Sequence, residues 1–397
     1  MMISKRIRTM DDWVDMFHSW QEDIGLDLPE VKKYQFTELY DTDATTGTEI
    51  EFGDFAGNKK WNSVLEVPTQ NIRDTLLQLT YVQGDTEFAS VEQQRLLVNN
   101  APHEYDRYAL VRIMIEEMRH GWQMCDVLVR YFGDSGKVEA RKLLERRASE
   151  AFPGSKGGKR LLGSFNQAVN NWVDFYSYTC FVDRDGKYQL GMLAPSAFAP
   201  LARSAGPMLR EEAFHLGSGQ DGLKRIILGN RLPIPLLQKY VNKWVSTAHD
   251  LFGKDGSSTA EWGYVWGLKG RFDEREQKDK TNFDRKTLND HNRTLYHNEV
   301  AEILRKLNIH IEETGRKEKL VMPHLKFRRE IGDWAGGQFD IHGNEIKDKA
   351  AYDQYLRDNM PSEHDEAKAA DIAKDNAWIQ DKKLPPNAWD FKPMTTR

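Results

Sequence analysis

Glu117 and His120, and again Glu212 and His215, place a carboxylate three residues before an imidazole. They lie in the runs Glu116-Glu117-Met118-Arg119-His120 and Glu211-Glu212-Ala213-Phe214-His215. No other member of the eleven histidines has a glutamate at that spacing. On a helix, positions i and i+3 share a face, so each pair can turn one carboxylate and one imidazole toward a single metal ion. One such pair carries little weight, because ordinary composition produces roughly one by chance. Register adds the weight. Leu110, Ile113 and Met114 lead into Glu117 and His120, and Met124, Val127 and Leu128 follow on the same stripe. Leu201, Ala205 and Met208 lead likewise into Glu212 and His215. Both pairs therefore stand where core residues are due.

A buried carboxylate beside a buried imidazole is costly unless a cation or a mutual hydrogen bond compensates it. The repeat in the same register favours the cation. Carboxylate-rich sites with few imidazoles suit iron or manganese, whereas zinc and copper draw on cysteine and several histidines. Two Glu-x-x-His helices, each with a partner helix supplying one more carboxylate, make the ligand set of ferritin-like di-iron bundles. Glu87 lies 30 residues before Glu117 and Asp183 lies 29 before Glu212, a gap that suits antiparallel helices joined by a short loop. Glu87 shares a face with Leu76, Thr80, Gln83, Val91 and Gln94, and Gln83, one turn away, is placed to donate to it. Asp183 is less settled. The run Asp183-Arg184-Asp185-Gly186-Lys187 reads by itself as a turn, and Asp174 and Asp185 compete for the role. The expected fold is mainly α: a ferritin-like four-helix-bundle core with extra helices and an irregular C-terminal extension.

The motifs around these positions resemble the oxygenase component of benzoyl-CoA 2,3-epoxidase. They are Gln83-Gly84-Asp85-Thr86-Glu87 running on to Arg95, the Glu-Glu-x-Arg-His run at 116–120, and DRDGKYQL at 183–190. EEAFHL at 211–216, LLQKY at 236–240, GLKGRF at 267–272 and the basic stretch from Pro323 to Ile331 extend the likeness. The resemblance implies iron ligands at Glu87, Glu117, His120, Asp183, Glu212 and His215, with Asp183 chosen over its competitors. It implies that Glu117 and Glu212 bridge two iron ions and that Glu87 and Asp183 are terminal. It also implies a monooxygenase that takes an aromatic acyl-CoA and O2, with electrons from NADPH through a separate iron-sulfur flavoprotein reductase. A related oxygenase with a different aromatic substrate and a non-catalytic ferritin-like partner subunit are the alternatives; retention of every candidate ligand argues against the second. Lys269, Arg271, Lys326, Arg328 and Arg329 are basic residues available near a CoA, although each is as readily a solvated basic face.

One departure from that pattern is Gly206-Pro207, one to two turns before Glu212. Proline there removes an N–H and crowds the carbonyl four residues back, so a kink is expected in a helix expected to line the substrate pocket.

Composition narrows the rest. The chain has 397 residues, 39% hydrophobic, with eleven tryptophans and a net charge of −5. That is enough for a large core, and it lacks the basic tracts a nucleic-acid site needs. Cys125 and Cys180 are too few for a disulfide scaffold and fit a reducing cytoplasm as buried, inert thiols. No stretch is long and apolar enough for a membrane helix, and Lys5 and Arg6 precede no signal-like apolar run. The Gly- and Lys-rich segment 153–159 lacks the spacing of a phosphate loop. We therefore expect a lead-in at 1–68 with one amphipathic start at Met10 to Trp20, a helical core at 69–252, and an extension at 253–397 whose tail from Pro323 is irregular.

Overall fold

A computed structural model describes residues 6–254, 258–270 and 288–392. Thirteen α-helices occur among the described residues, with isolated β-bridges and no strand. The lead-in carries α1 (Met10–Asp23), α2 (Pro29–Lys33) and α3 (Asp43–Thr46). The bundle helices are α4 (Gln70–Gln94), α5 (Glu104–Tyr131), α7 (Trp172–Leu193) and α8 (Ala199–Gly229), with α6 (Gly133–Glu145) between the pairs. Around them lie α9 (Ile234–Leu251), α10 (Ser258–Val265), α11 (Leu288–Glu313), α12 (Lys349–Asn359) and α13 (Glu363–Ile372).

Local chemistry sets the ends of the bundle helices. Thr69 caps α4 by accepting from the Ile72 N–H, and Asn171 caps α7 by accepting from Val173 and Asp174. Pro200 sits in the first turn of α8, where a missing N–H costs nothing, and Asn230 stops the helix in the left-handed region. Short connections make α4 antiparallel to α5 and α7 antiparallel to α8. The two hairpins meet through α5 and α8. Gly219 and Gly222 permit a close α7–α8 approach, since a Cβ at the first would lie 2.5 Å from the Cys180 nitrogen and one at the second would strike the Tyr176 ring.

The amphipathic start expected at Met10 to Trp20 is α1, whereas the tail departs from its expected irregularity. Trp13, Phe17 and Trp20 of α1 are buried in the same apolar cluster as Phe88 of α4 and Trp122 of α5. A Thr9–Asp12 capping box starts α1, and Trp20 Nε1 donates to Glu92 at 2.8 Å. The tail forms α12 and α13, started by Asp348 and Ser362 caps, because those caps precede short runs of helix formers that pack little apolar surface. No helix among the described residues is long and apolar enough to cross a membrane.

The Gly206-Pro207 pair does not break α8, which continues from Ala199 to Gly229. The bond that Pro207 cannot donate is supplied from outside: Asp41 N–H donates to the Arg203 carbonyl at 2.9 Å. Asp41 then holds Arg210 at 2.8 Å, and a Cβ on Gly206 would collide with the Asp41 carboxylate. The pair is a docking point for the lead-in.

Candidate metal centre

Glu87 on α4, Glu117 and His120 on α5, Asp183 on α7, and Glu212 and His215 on α8 converge inside the bundle, all of them buried. The aspartate turns out to be helical because α7 runs through 183–187, with Gly186 facing Glu212 rather than making a turn. Its competitors are engaged elsewhere: Asp174 holds Lys243 and Trp244, and Asp185 accepts from Gln189.

The centre has an approximate twofold plan. His120 Nδ1 lies 3.3 Å from Glu87, 4.0 Å from Glu117 Oε2 and 3.8 Å from Glu212 Oε1. His215 Nδ1 lies 3.5 Å from Glu117 Oε1 and 3.4 Å from Glu212 Oε2. Each of Glu117 and Glu212 thus directs one oxygen toward each imidazole, the arrangement of a carboxylate shared by two ions. Donor atoms of Glu87, Glu117 and His120 fall within 4.8 Å of one another, as do those of Glu117, Asp183 and His215. Gln83 Nε2 donates to Glu87, as its position one turn away anticipated.

The outer nitrogens are held by Glu116 and Glu211, which the sequence places on a different face from the ligands, for contacts at the surface or behind the ligands. His120 Nε2 faces Glu211 at 2.8 Å, and His215 Nε2 faces Glu116 at 3.0 Å. The contacts cross: the glutamate beside each ligand on one helix holds the histidine of the other. Donating Nε2–H to a carboxylate leaves Nδ1 as the free lone pair, the tautomer a metal needs. Arg119, fully buried, pairs with Glu211, and Arg112 pairs with Glu116 at 2.8 Å while lying over the Phe214 ring. The doubled glutamate in both motifs was the visible signal for these roles. Its partner lay on another helix.

Electrostatics show that this donor set fits cations. Burial, followed by repulsion from neighbouring carboxylates, pushes Glu117 and Asp183 well above the usual carboxylate range. Burial opposes the charge on Glu87 as well, but the hydrogen bond from His120 brings it below its ordinary value. Burial works against a charged His120 too, yet bonds to Glu211 and Glu87 raise it to about 9. Four crowded carboxyls and two imidazoles must thus take up protons to coexist, and divalent ions replace those protons. Asp183 Oδ2, Glu212 Oε2 and His215 Nδ1 are buried with no hydrogen-bond partner among the described residues, leaving lone pairs for ligation.

A cavity of about 310 Å³ opens on one side of this cluster, and a second of about 330 Å³ lies on the other side against Glu116 and Glu211. Glu87, Glu117, Asp183 and Glu212 form the inner end of the first, and Leu79, Val82, Val182, Leu193, Leu251 and Phe252 give it apolar walls. It lies between α4 and α7; α8 contributes Glu212 alone, so Gly206-Pro207 does not shape the pocket as expected. Of the basic residues considered for a CoA, Lys269 lines this cavity. Arg271 lies outside the described residues, Lys326 sits over the Trp334 ring, Arg328 bonds Ser246, and Arg329 is buried against Asp250. Cys125 and Cys180 are buried and reduced, and burial pushes the Cys180 thiol up to about 11 and Cys125 higher still.

The family described as phenylacetic acid catabolic protein matches residues 64–319, the span that holds every residue of this centre. Benzoyl-CoA oxygenase component B of Aromatoleum evansii is 32% identical to this chain, over 90% of the chain and 87% of that protein.

Proposed function

Since this chain belongs to the phenylacetic acid catabolic protein family, we propose that it is a di-iron monooxygenase placing one atom of O2 on the ring of an aromatic acyl-CoA. The substrate most like that of its relative is benzoyl-CoA, and the product is then the 2,3-epoxide. Substrate, O2, two electrons and two protons give epoxide and one water. The relative's designation as a component supports a separate electron donor, which we take to be an NADPH-dependent iron-sulfur flavoprotein reductase. Two free, buried cysteines are in keeping with a cytoplasmic setting.

Two iron ions would be held by Glu87 with His120 and by Asp183 with His215, with Glu117 and Glu212 shared between them. When bound, they supply the O2 activation that side chains alone do not. The chain's own part is positioning. Glu211 and Glu116 fix the imidazoles, Gln83 orients Glu87, and the apolar walls exclude water around a flat ring. The observation that carries this reading is a buried carboxylate–imidazole cluster, with two groups of converging donors, at the inner end of a largely apolar cavity.

The test is metal analysis followed by single-turnover oxidation of benzoyl-CoA by chemically reduced protein. Expected are about two irons per chain and an O2-dependent oxygenated thioester. Bound iron with benzoyl-CoA untouched would move the substrate to another aromatic, and failure to take up metal on reconstitution would overturn the di-iron reading.

A further inference from the structure

The cavity lining also holds a polar group apart from the four carboxylates. Lys269, Gln189 and Asn289 make up this group, and Gly253 shares the lining. Lys269 Nζ donates to Gln189 Oε1 at 3.3 Å, its one acceptor among the described residues, and Gln189 Nε2 reaches Asp185 at 3.4 Å. Both bonds are long. A lysine ammonium has three donors, so this one has hydrogen-bonding capacity to spare. Burial presses its charge down, to about 8, with the Asp185 carboxylate acting in the other direction.

The backbone carrying Lys269 leaves it little freedom. Ala197 N–H donates to the Gly267 carbonyl at 2.7 Å, and Gly270 N–H donates to the Met192 carbonyl at 2.9 Å. Leu268 is fully buried beside Lys269. Gly267 has φ +70°, and a Cβ there would lie 2.5 Å from the Phe52 carbonyl oxygen. Asp54 N–H also pins the Val265 carbonyl at 2.7 Å. A cation on such a support is preorganised rather than recruited.

Position supplies the rest. Gln189 is six residues beyond Asp183 on the same helix, roughly 9 Å along its axis. A single aromatic ring and the carbonyl attached to it bridge a gap of that order. The cavity is at the small end for ligand pockets, so the acyl group enters and the nucleotide portion stays outside. We infer that Lys269 is a specificity-determining residue that donates a hydrogen bond to the thioester carbonyl oxygen of the bound acyl group, setting how far the ring reaches toward the metal cluster. This rests on the aromatic acyl-CoA reading above. The ammonium selects an acyl group with an oxygen acceptor next to the ring and rejects a plain hydrocarbon of the same size.

The test compares wild type with Lys269→Met and Lys269→Arg, using calorimetric binding of benzoyl-CoA and of free CoA to metal-loaded and metal-free protein, then turnover. Lys269→Met should raise the benzoyl-CoA Kd roughly ten- to hundredfold, the loss of one hydrogen bond to a charged group. Iron content, melting temperature and free CoA binding should be unchanged. Lys269→Arg should recover part of the affinity, and the oxygenated products of Lys269→Met should spread over more ring positions. Unchanged benzoyl-CoA binding in Lys269→Met overturns the role, and an equal loss for free CoA overturns it in favour of a phosphate contact. Wild type that holds iron but binds no aryl thioester overturns the substrate reading itself, and this role with it. If Lys269→Met fails to fold, Gln189→Leu reads the same contact from its other side, with normal benzoyl-CoA affinity and product distribution counting against the proposal.

Discussion

The two sides of the candidate metal centre are built differently. On the α5–α8 side the outer imidazole nitrogens meet Glu211 and Glu116, and those carboxylates are in turn held by Arg119 and Arg112. On the side that faces α4 and α7, Asp183 Oδ2 and the Oε2 of Glu212, which reaches in from α8, have no hydrogen-bond partner among the described residues, and both residues line a cavity. Buried polar groups are ordinarily satisfied. Arg119 Nη1 has no hydrogen-bond partner among the described residues, but the carboxylate–guanidinium pairs of the first face hold the imidazoles in place, while the second presents unmatched carboxylate oxygens to a cavity.

Removing a ligand should break this contrast most completely. Asp183→Ala and His215→Ala are each expected to lower iron below two per chain and to abolish oxygenation, checked by metal analysis and single turnover; full activity in either would mean the ligand assignment is wrong. Damage to the α5–α8 side should instead appear first as instability. Glu211→Ala strands the fully buried Arg119 guanidinium, which should cost about 3–5 kcal/mol in denaturant unfolding, and iron should bind roughly 10- to 100-fold more weakly.

Filling the cavity between α4 and α7 should spare the metal. Val82→Trp is expected to leave iron loading intact while weakening benzoyl-CoA binding by roughly tenfold or more, since a bulky side chain has no room beside a ring in so small a cavity. A calorimetric Kd equal to wild type would place the substrate elsewhere.

The α5–α8 side also has a pH signature. Burial opposes the Glu211 charge, but Arg119 and His120 hold its carboxyl down at about 2, against an ordinary 4.5. A depressed carboxylate contributes stability that is present above 4.5 and lost as pH falls through about 2. The unfolding free energy of wild type minus that of Glu211→Gln, measured without metal, should be largest between about pH 5 and 6, shrink below 4.5 as the carboxyl protonates, and shrink again from 6.5 toward about 9 as His120 loses the proton that Glu211 holds. A difference that grows as pH falls below 4.5 would contradict the pairing. The smallest effect on chemistry belongs to Gly206→Ala, where the new methyl meets the Asp41 carboxylate. Stability should fall by about 1–3 kcal/mol with oxygenation unchanged, because this part of α8 faces the lead-in and not the cavity.

Much of the site was legible because its residues interrupt apolar stripes. A carboxylate or imidazole at a core position of a 3.6-residue pattern stands out in any linear reading, and Glu117, His120, Glu212 and His215 did. Asp183 was harder, since Asp-Gly-Lys chemistry favours a turn locally and the packing of α7 on α8 overrides that preference. The expected bearing of Gly206-Pro207 on the pocket was misread for a related reason. A proline's missing bond is visible in sequence, but the Asp41 N–H that replaces it comes from 166 residues earlier in the chain. Helices α12 and α13 of the tail hold few residues, so their periodic signal was short.

What the sequence determined by itself was the donor chemistry and its register: four carboxylates, two imidazoles and the helical faces that carry them. Periodicity fixes the direction of a side chain about its own helix axis. It does not specify which side chain of a second helix arrives at the same point. Tertiary packing decided that each histidine is held by the glutamate of the opposite motif, that Glu117 and Glu212 stand between the two imidazoles, and that the cavity opens between α4 and α7. Those outcomes depend on how closely helices approach, and that is set by residues such as Gly219 and Gly222, whose only contribution is the space they leave.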